Sequence, residues 1–223
     1  MSNIMTFCLD TEVIPPNNDE PIKNVIILLH GYGGDGKDIS MLTLNWKRFL
    51  KNTLFLCPNG HEKCEINPMG FQWFDLSKND EKYILEKSIE AEKIINKFIQ
   101  EVKNKYQVLN KNIVLCGFSQ GCMMAINAGV TSEQEYNCIV GFSGKIINRD
   151  NLQSKLKNKS KILLIHGDQD EIVSSTFLLE AKDFFKRNKF DIQTNLIKNC
   201  GHHIPIDASS IALSFIKKNL EFL

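Results

Sequence analysis

The chain has no run of about 18 apolar residues, so its sequence offers no membrane-spanning helix. Charge of one sign is also missing: 27 basic against 26 acidic residues leave a formal net charge of +1. With that balance, and no basic stripe interleaved with aromatics, the electrostatic footprint of a nucleic-acid binder is excluded. The opening MSNIMTFCLD lacks the basic segment and long apolar core of a secretory signal. Ordered cysteine spacing is absent too. The 7 cysteines are odd in number and irregular, Cys57 and Cys64 stand too far apart for a C-x-x-C pair, and no histidine cluster completes a zinc site. Free thiols in a reducing compartment are expected, which makes cytoplasmic the expected location. Internal repeats and low-complexity segments do not occur. The one linker-like stretch, P-P-N-N-D-E-P from Pro15 to Pro21, reads as a surface turn.

What remains is an ordinary globular composition, 43% hydrophobic, in a chain long enough to bury a full core. We expect one domain over residues 1–223. Short β-rich runs alternate with longer helical patterns. The strand candidates are Val25 to His30, Thr53 to Cys57, Asn112 to Cys116, Cys138 to Phe142, Lys161 to His166 and Gln193 to Ile197. Most are continuous apolar runs, as a parallel sheet covered on both faces requires. Helical spacing predicts a long helix from Glu81 to Tyr106, with Ile84, Ala91, Ile95, Phe98 and Val102 on one face. Further helices are predicted over Met41 to Leu50, Gln120 to Ala128, Thr176 to Arg187 and Ala208 to Leu220. The alternation means a doubly wound α/β fold with a mostly parallel central sheet and helices on both faces.

In such sheets chemistry gathers at the carboxyl ends of the strands. Four of these ends carry suggestive residues. His30-Gly31-Tyr32-Gly33-Gly34-Asp35-Gly36 follows the first strand and Gly117-Phe118-Ser119-Gln120-Gly121 the third. His166-Gly167-Asp168-Gln169-Asp170 follows the fifth, and Cys200-Gly201-His202-His203 closes the last. A serine opening a helix is often only an N-cap, but an N-cap does not need glycine on both sides. Ser119 in G-F-S-Q-G, between a strand and a helix, fits a nucleophile elbow, with an acid and then a histidine downstream in α/β-hydrolase order. A near-repeat, Gly141-Phe142-Ser143-Gly144-Lys145, has lysine in place of the second glycine. Position does not choose between Asp168 and Asp170, with Glu171 adjacent, nor between His202 and His203. The glycine-rich turn lacks the ending of a P-loop and the spacing of a dinucleotide site, and suits one wall of an oxyanion hole.

Together H-G-Y-G-G-D-G, Q-W-F-D (Gln72 to Asp75), G-F-S-Q-G, H-G-D-Q-D-E-I-V and G-H-H-I resemble the phospholipase/carboxylesterase family of α/β-hydrolases, which includes the acyl-protein thioesterases. The resemblance runs nearly the whole length. It implies Asp170 as the catalytic acid, His202 as the catalytic histidine, and the backbone N–H groups of Tyr32 and Gln120 as oxyanion donors. The latter agrees with the general rule for the residue after the nucleophile. Departures are Cys122, where many members carry Gly or Ala, and G-K-I-I-N, which lacks an expected proline. Cys122 reads as a packing residue, and the second change bears on acyl-chain preference. Met1-Ser2-Asn3 carries no cysteine for lipid anchoring.

The expected activity is hydrolysis of carboxylic esters or thioesters through an acyl-enzyme on Ser119, with no metal or organic cofactor. Expected substrates are small acyl esters, acyl thioesters, lysophospholipids or acylated proteins. Phe71 and Trp73 are candidates to line the acyl pocket, against the alternative that they pack beneath the loop. The rival readings are a non-catalytic binding protein of the same fold, which a missing triad member would mark, and a peptidase or lipase. No long apolar lid insertion marks an interfacial lipase.

Overall fold

The computed structural model describes residues 7–16 and 21–221. Most of the stretch read for a secretory signal, and residues 17–20 of the predicted Pro15–Pro21 turn, lie outside the described residues. In chain order come β1 (Thr11–Ile14), β2 (Asn24–Leu29), the short helices α1 (Gly36–Ser40) and α2 (Thr43–Trp46), and β3 (Thr53–Pro58). A small hairpin, β4 (Glu62–Lys63) with β5 (Phe71–Gln72), precedes the long α3 (Glu81–Tyr106). The chain continues through β6 (Ile113–Phe118), α4 (Gln120–Thr131), β7 (Cys138–Phe142), α5 (Arg149–Lys155) and β8 (Lys161–Gly167). It ends with α6 (Thr176–Arg187), β9 (Ile192–Ile197) and α7 (Ile206–Leu220).

Seven strands form one sheet in the order β1-β3-β2-β6-β7-β8-β9. β1 is antiparallel to β3, and every other neighbouring pair is parallel. Each central strand feeds two apolar layers by simple alternation. Val25, Ile27 and Leu29 of β2 join Ala91, Ile95 and Phe98 of α3 and the buried face of α4 in the first layer. Ile26 and Leu28 face the other way, toward Trp46, Ala212, Phe215 and Ile216 in the second. Covering both faces is why these strands are apolar without interruption.

Two features differ from the sequence expectation. The helix expected from Met41 to Leu50 is replaced by two short ones beginning at Gly36, inside the glycine-rich stretch. Asp35 starts the first by accepting from the Asp38 N–H at 2.7 Å. Glycine is required at 36 because a Cβ there would stand 2.0 Å from the Cys57 carbonyl oxygen. Strand β1, the β4–β5 hairpin and helix α5 are additions; all are short and only partly buried, so their periodic signal is weak. The connections from β2 leave to one side for β3, and the chain returns on the other side at β6. That reversal opens a crevice beyond the carboxyl ends of β2 and β6, where the glycine-rich turn and Ser119 meet.

Candidate active site

One residue, Ser119, separates β6 from α4, with φ 53° and ψ −116°. Such a backbone costs about 1–3 kcal/mol for a residue with a side chain, so the surroundings must hold it. Its N–H donates to the Phe142 carbonyl at 2.8 Å. The flanking glycines let the turn close. A Cβ on Gly117 would meet Gly121 O at 2.2 Å, and one on Gly121 would meet Leu29 O at 2.1 Å. Cys122 has a comparable reason: its Sγ lies 2.4 Å from where a Cβ on either Gly141 or Gly144 would stand. The family departure at this position is therefore packed into space those two glycines leave. Ser143 shares a positive φ of 49° at the end of β7, but the serine bonded to His202 is Ser119.

The loop after β9 carries His202 to the elbow. It is held by the Gln169 N–H on Cys200 O at 2.9 Å and the Cys200 N–H on the Asp168 carboxylate at 3.3 Å. Gly167 permits this approach, since a Cβ there would lie 2.2 Å from Cys200 O. His202 Nδ1 stands 2.7 Å from Asp170 Oδ2, and Nε2 stands 2.9 Å from Ser119 Oγ. A carboxylate only accepts, so Nδ1 carries the proton and Nε2 is left to accept from the Ser119 hydroxyl. Asp170 has a side chain that is 0% exposed. Burial opposes its ionisation, but bonds from His202 and from the N–H groups of Val173 (2.8 Å) and Ile172 (3.0 Å) outweigh it. The carboxyl consequently lies below its ordinary range. His166, whose partnership the sequence did not disclose, places Nε2 3.2 Å from Asp170 Oδ2 and 2.8 Å from Val173 O. Burial lowers its pKa, so it is neutral there. Asp168 and His203, the sequence alternatives, stand outside this line; both are exposed.

The glycine-rich turn approaches Ser119 from β2. Gly34 N–H donates to Gly31 O at 3.1 Å, with Tyr32 and Gly33 at the corner and Gly33 at φ 77°. This is the type II geometry that needs glycine third, and it leaves the Tyr32 N–H out of the turn's own bond. Residues 67–74 brace the turn. Gly33 N–H donates to Phe71 O at 2.9 Å, Phe71 N–H to Gly34 O at 2.8 Å, and the Asn67 amide to Gly33 O at 2.7 Å. The same segment holds α4. Gln120, 1% exposed, accepts from the Trp73 N–H at 2.8 Å and donates to Phe74 O at 2.6 Å. With the side chain occupied, the Gln120 backbone N–H at the helix start precedes the first intrahelical bond, which is Met123 N–H on Ser119 O. The expectation that Trp73 lines a pocket is corrected. It is 0% exposed, and its Nε1–H donates to His30 O at 2.9 Å beneath the turn. Phe71 is half-buried, and its backbone braces the turn. His30 is also structural: Nε2 accepts from Gly60 N–H at 2.8 Å while Nδ1 donates to Gly31 O at 2.7 Å.

Among the described residues, no group of three or more His, Cys, Asp or Glu is placed to hold a metal ion, and no helix is long and apolar enough to cross a membrane. The mostly parallel sheet between two helical layers, with a serine on a strained strand-to-helix turn, is the architecture of an α/β-hydrolase. The profile of the phospholipase/carboxylesterase family matches residues 10–220, and the chain belongs to that family. It is 29% identical to acyl-protein thioesterase 1 of Kluyveromyces lactis, over 91% of this chain and 94% of that one. It is 23% identical to esterase YpfH of Escherichia coli, over 89% of this chain and 84% of that one. Among solved structures, esterase PE8 superposes with a TM-score of 0.91 at 29% identity, covering 95% of this chain and 99% of that one.

Proposed function

We propose that the protein hydrolyses carboxylic esters or thioesters through an acyl-enzyme formed on Ser119. The observation that carries this reading is His202, bonded at once to Ser119 Oγ at 2.9 Å and to Asp170 Oδ2 at 2.7 Å. His202 Nε2 takes the serine proton as Oγ attacks the acyl carbonyl, and Asp170 holds the ring and stabilises the imidazolium. The backbone N–H groups of Tyr32 and Gln120 receive the developing oxyanion; one such donor typically contributes about 3–4 kcal/mol to the transition state. His202 returns the proton to the departing oxygen or sulfur, and water, activated by the same imidazole, then cleaves the acyl-enzyme. The Kluyveromyces relative's name, acyl-protein thioesterase, supports thioesters within this class, and esterase YpfH supports oxygen esters.

Ser119→Ala is expected to keep the fold and lose both turnover and labelling by a fluorophosphonate probe. Undiminished labelling of the variant would place the nucleophile elsewhere, with Ser143 the next serine to test.

A further inference from the structure

A substrate of this chemistry has two halves, and the fold gives them different surroundings. Ser119 sits on the sheet's carboxyl edge between the two apolar layers. Trp73, Phe74 and Val173 belong to the first layer, Phe118 and Ile204 to the second. His202 stands on the second side. Its ring packs against Phe118 with centroids 4.9 Å apart, and Ile204 follows it by two residues. On this same side a cleft of about 460 Å³ opens between α1–α2 and the start of α7. Its wall includes Tyr32, Met41, Leu42, Phe118, Ile204 and Ile206, with the carboxylate of Asp38. A volume of that size is in the range of small-ligand sites.

The direction of proton flow decides which half belongs there. Having taken the Ser119 proton, His202 must deliver it to the atom that departs, so the departing group lies against His202. We infer that this cleft holds the substrate's leaving group, the alcohol or thiol, and not its acyl chain. It selects leaving groups that are apolar beside the reacting atom and neutral or cationic beyond it. The inference rests on Ser119 as nucleophile and His202 as base. In the step concerned, the Ser119 Oγ–acyl carbon bond forms and the acyl C–O or C–S bond breaks. The serine proton passes through His202 Nε2 to the departing oxygen or sulfur, and the free alcohol or thiol exits through the cleft. The charge preference follows from Asp38 on the wall, with Asp35 near it and Asp207 beside Ile206 at the rim. Lys37, the neighbouring cation, does not line the cleft. A leaving group bearing a phosphate or carboxylate meets unfavourable charge there.

The test uses the full chain and two substrate series. Butyryl thioesters of three similar-sized thiols, bearing an amide, an ammonium or a carboxylate, vary the leaving group. A second series fixes the amide-bearing thiol and lengthens the acyl chain. Wild type is expected to favour the amide and ammonium thiols over the carboxylate one, and Asp38→Asn to narrow that gap about fivefold. Leu42→Trp, which fills the cleft, should lower kcat/KM for the bulky thiols about 10-fold or more. It should leave unchanged both the acyl-length profile and the single-turnover decay of the butyryl-enzyme, because no leaving group is present in deacylation. An altered acyl-length profile or slowed deacylation would place the acyl chain in the cleft and overturn the inference. Unchanged leaving-group selectivity in both variants would overturn it as well. Should Leu42→Trp not fold, Asp38→Asn at its exposed site carries the test. Absence of any thioester turnover by wild type, with no labelling of Ser119, would instead sink the underlying reading.

Discussion

Glycines 117 and 121 set how tightly the chain folds around Ser119, and each does so against a backbone carbonyl oxygen. Carbonyls of a central strand cannot step aside as a side-chain tip can. Gly121→Ala is therefore expected to destabilise the protein by at least about 2 kcal/mol in denaturant unfolding. Gly201→Ala is the matched control: the nearest atom to its new Cβ would be 3.8 Å away, so its unfolding midpoint should barely move. An equal response of the two would show that the elbow relaxes more than its geometry allows. At this scale much of the site was legible. G-F-S-Q-G marked Ser119 because the glycines around a strained turn leave a sequence trace, and Ser143 lacked the second one. The choice of Asp170 over Asp168 came only through family likeness. The spatial reason, Asp170 Oδ1 bonded to two N–H groups of its own turn, has no local sequence signature.

At the scale of elements, residues 67–74 act as a strap across two pieces of backbone. One end bonds the turn after β2 through Asn67 and Phe71; the other bonds α4 through Gln120. The separation of the Tyr32 and Gln120 N–H groups is thereby fixed by a third segment. Gln120→Ala leaves the Trp73 N–H and the Phe74 carbonyl buried without this partner, at a cost of about 1–3 kcal/mol for each. Beyond lost stability, and on the proposed role of the Gln120 backbone N–H, loss of this brace is expected to lower kcat for ester hydrolysis by about 10-fold or more with little change in KM, since a mispositioned oxyanion donor weakens the transition state and not the ground state. A rise in KM at constant kcat would show that the strap serves substrate binding instead. The sequence flagged this stretch through Q-W-F-D but not its role as a strap, because its bonds join a side chain to backbone 47 and 46 residues away. The central strands, by contrast, were readable to within two residues as continuous apolar runs. Met41 to Leu50 misled because α1 begins at a glycine, a residue that ordinarily signals a turn.

For the whole molecule, the two apolar layers share the same strands, residue by alternate residue. We propose that the chain unfolds as one unit, giving a single calorimetric transition. Its pH dependence follows from three histidines. Burial lowers His30, His61 and His166 below the ordinary histidine value of 6.5. Between the folded value and 6.5 the unfolded chain binds more protons, so stability is full above 6.5 and drains as pH falls toward the folded values. Each group contributes at most about 1.4 kcal/mol per pH unit. The melting temperature should fall from about pH 7.5 to about pH 5.5, well above the range where Asp170 titrates. A flat profile would mean that none of the three rings is held neutral.

The cleft beside His202 also separates two kinds of inheritance. The Ser119–His202–Asp170 line is drawn by the loops after β6, β9 and β8, where glycines and backbone bonds tolerate little change. The cleft rim comes from other elements: Met41 follows α1 and is 63% exposed, and Ile206 opens α7 at 78%. Side chains so free of packing can drift in a lineage without unfolding the protein. On the proposed assignment, such drift retunes which alcohol or thiol departs while the bond-cutting apparatus stays constant. Specialisation in this chain is then a matter of replacing rim residues, and relatives with the same serine, histidine and aspartate are free to diverge in what they release.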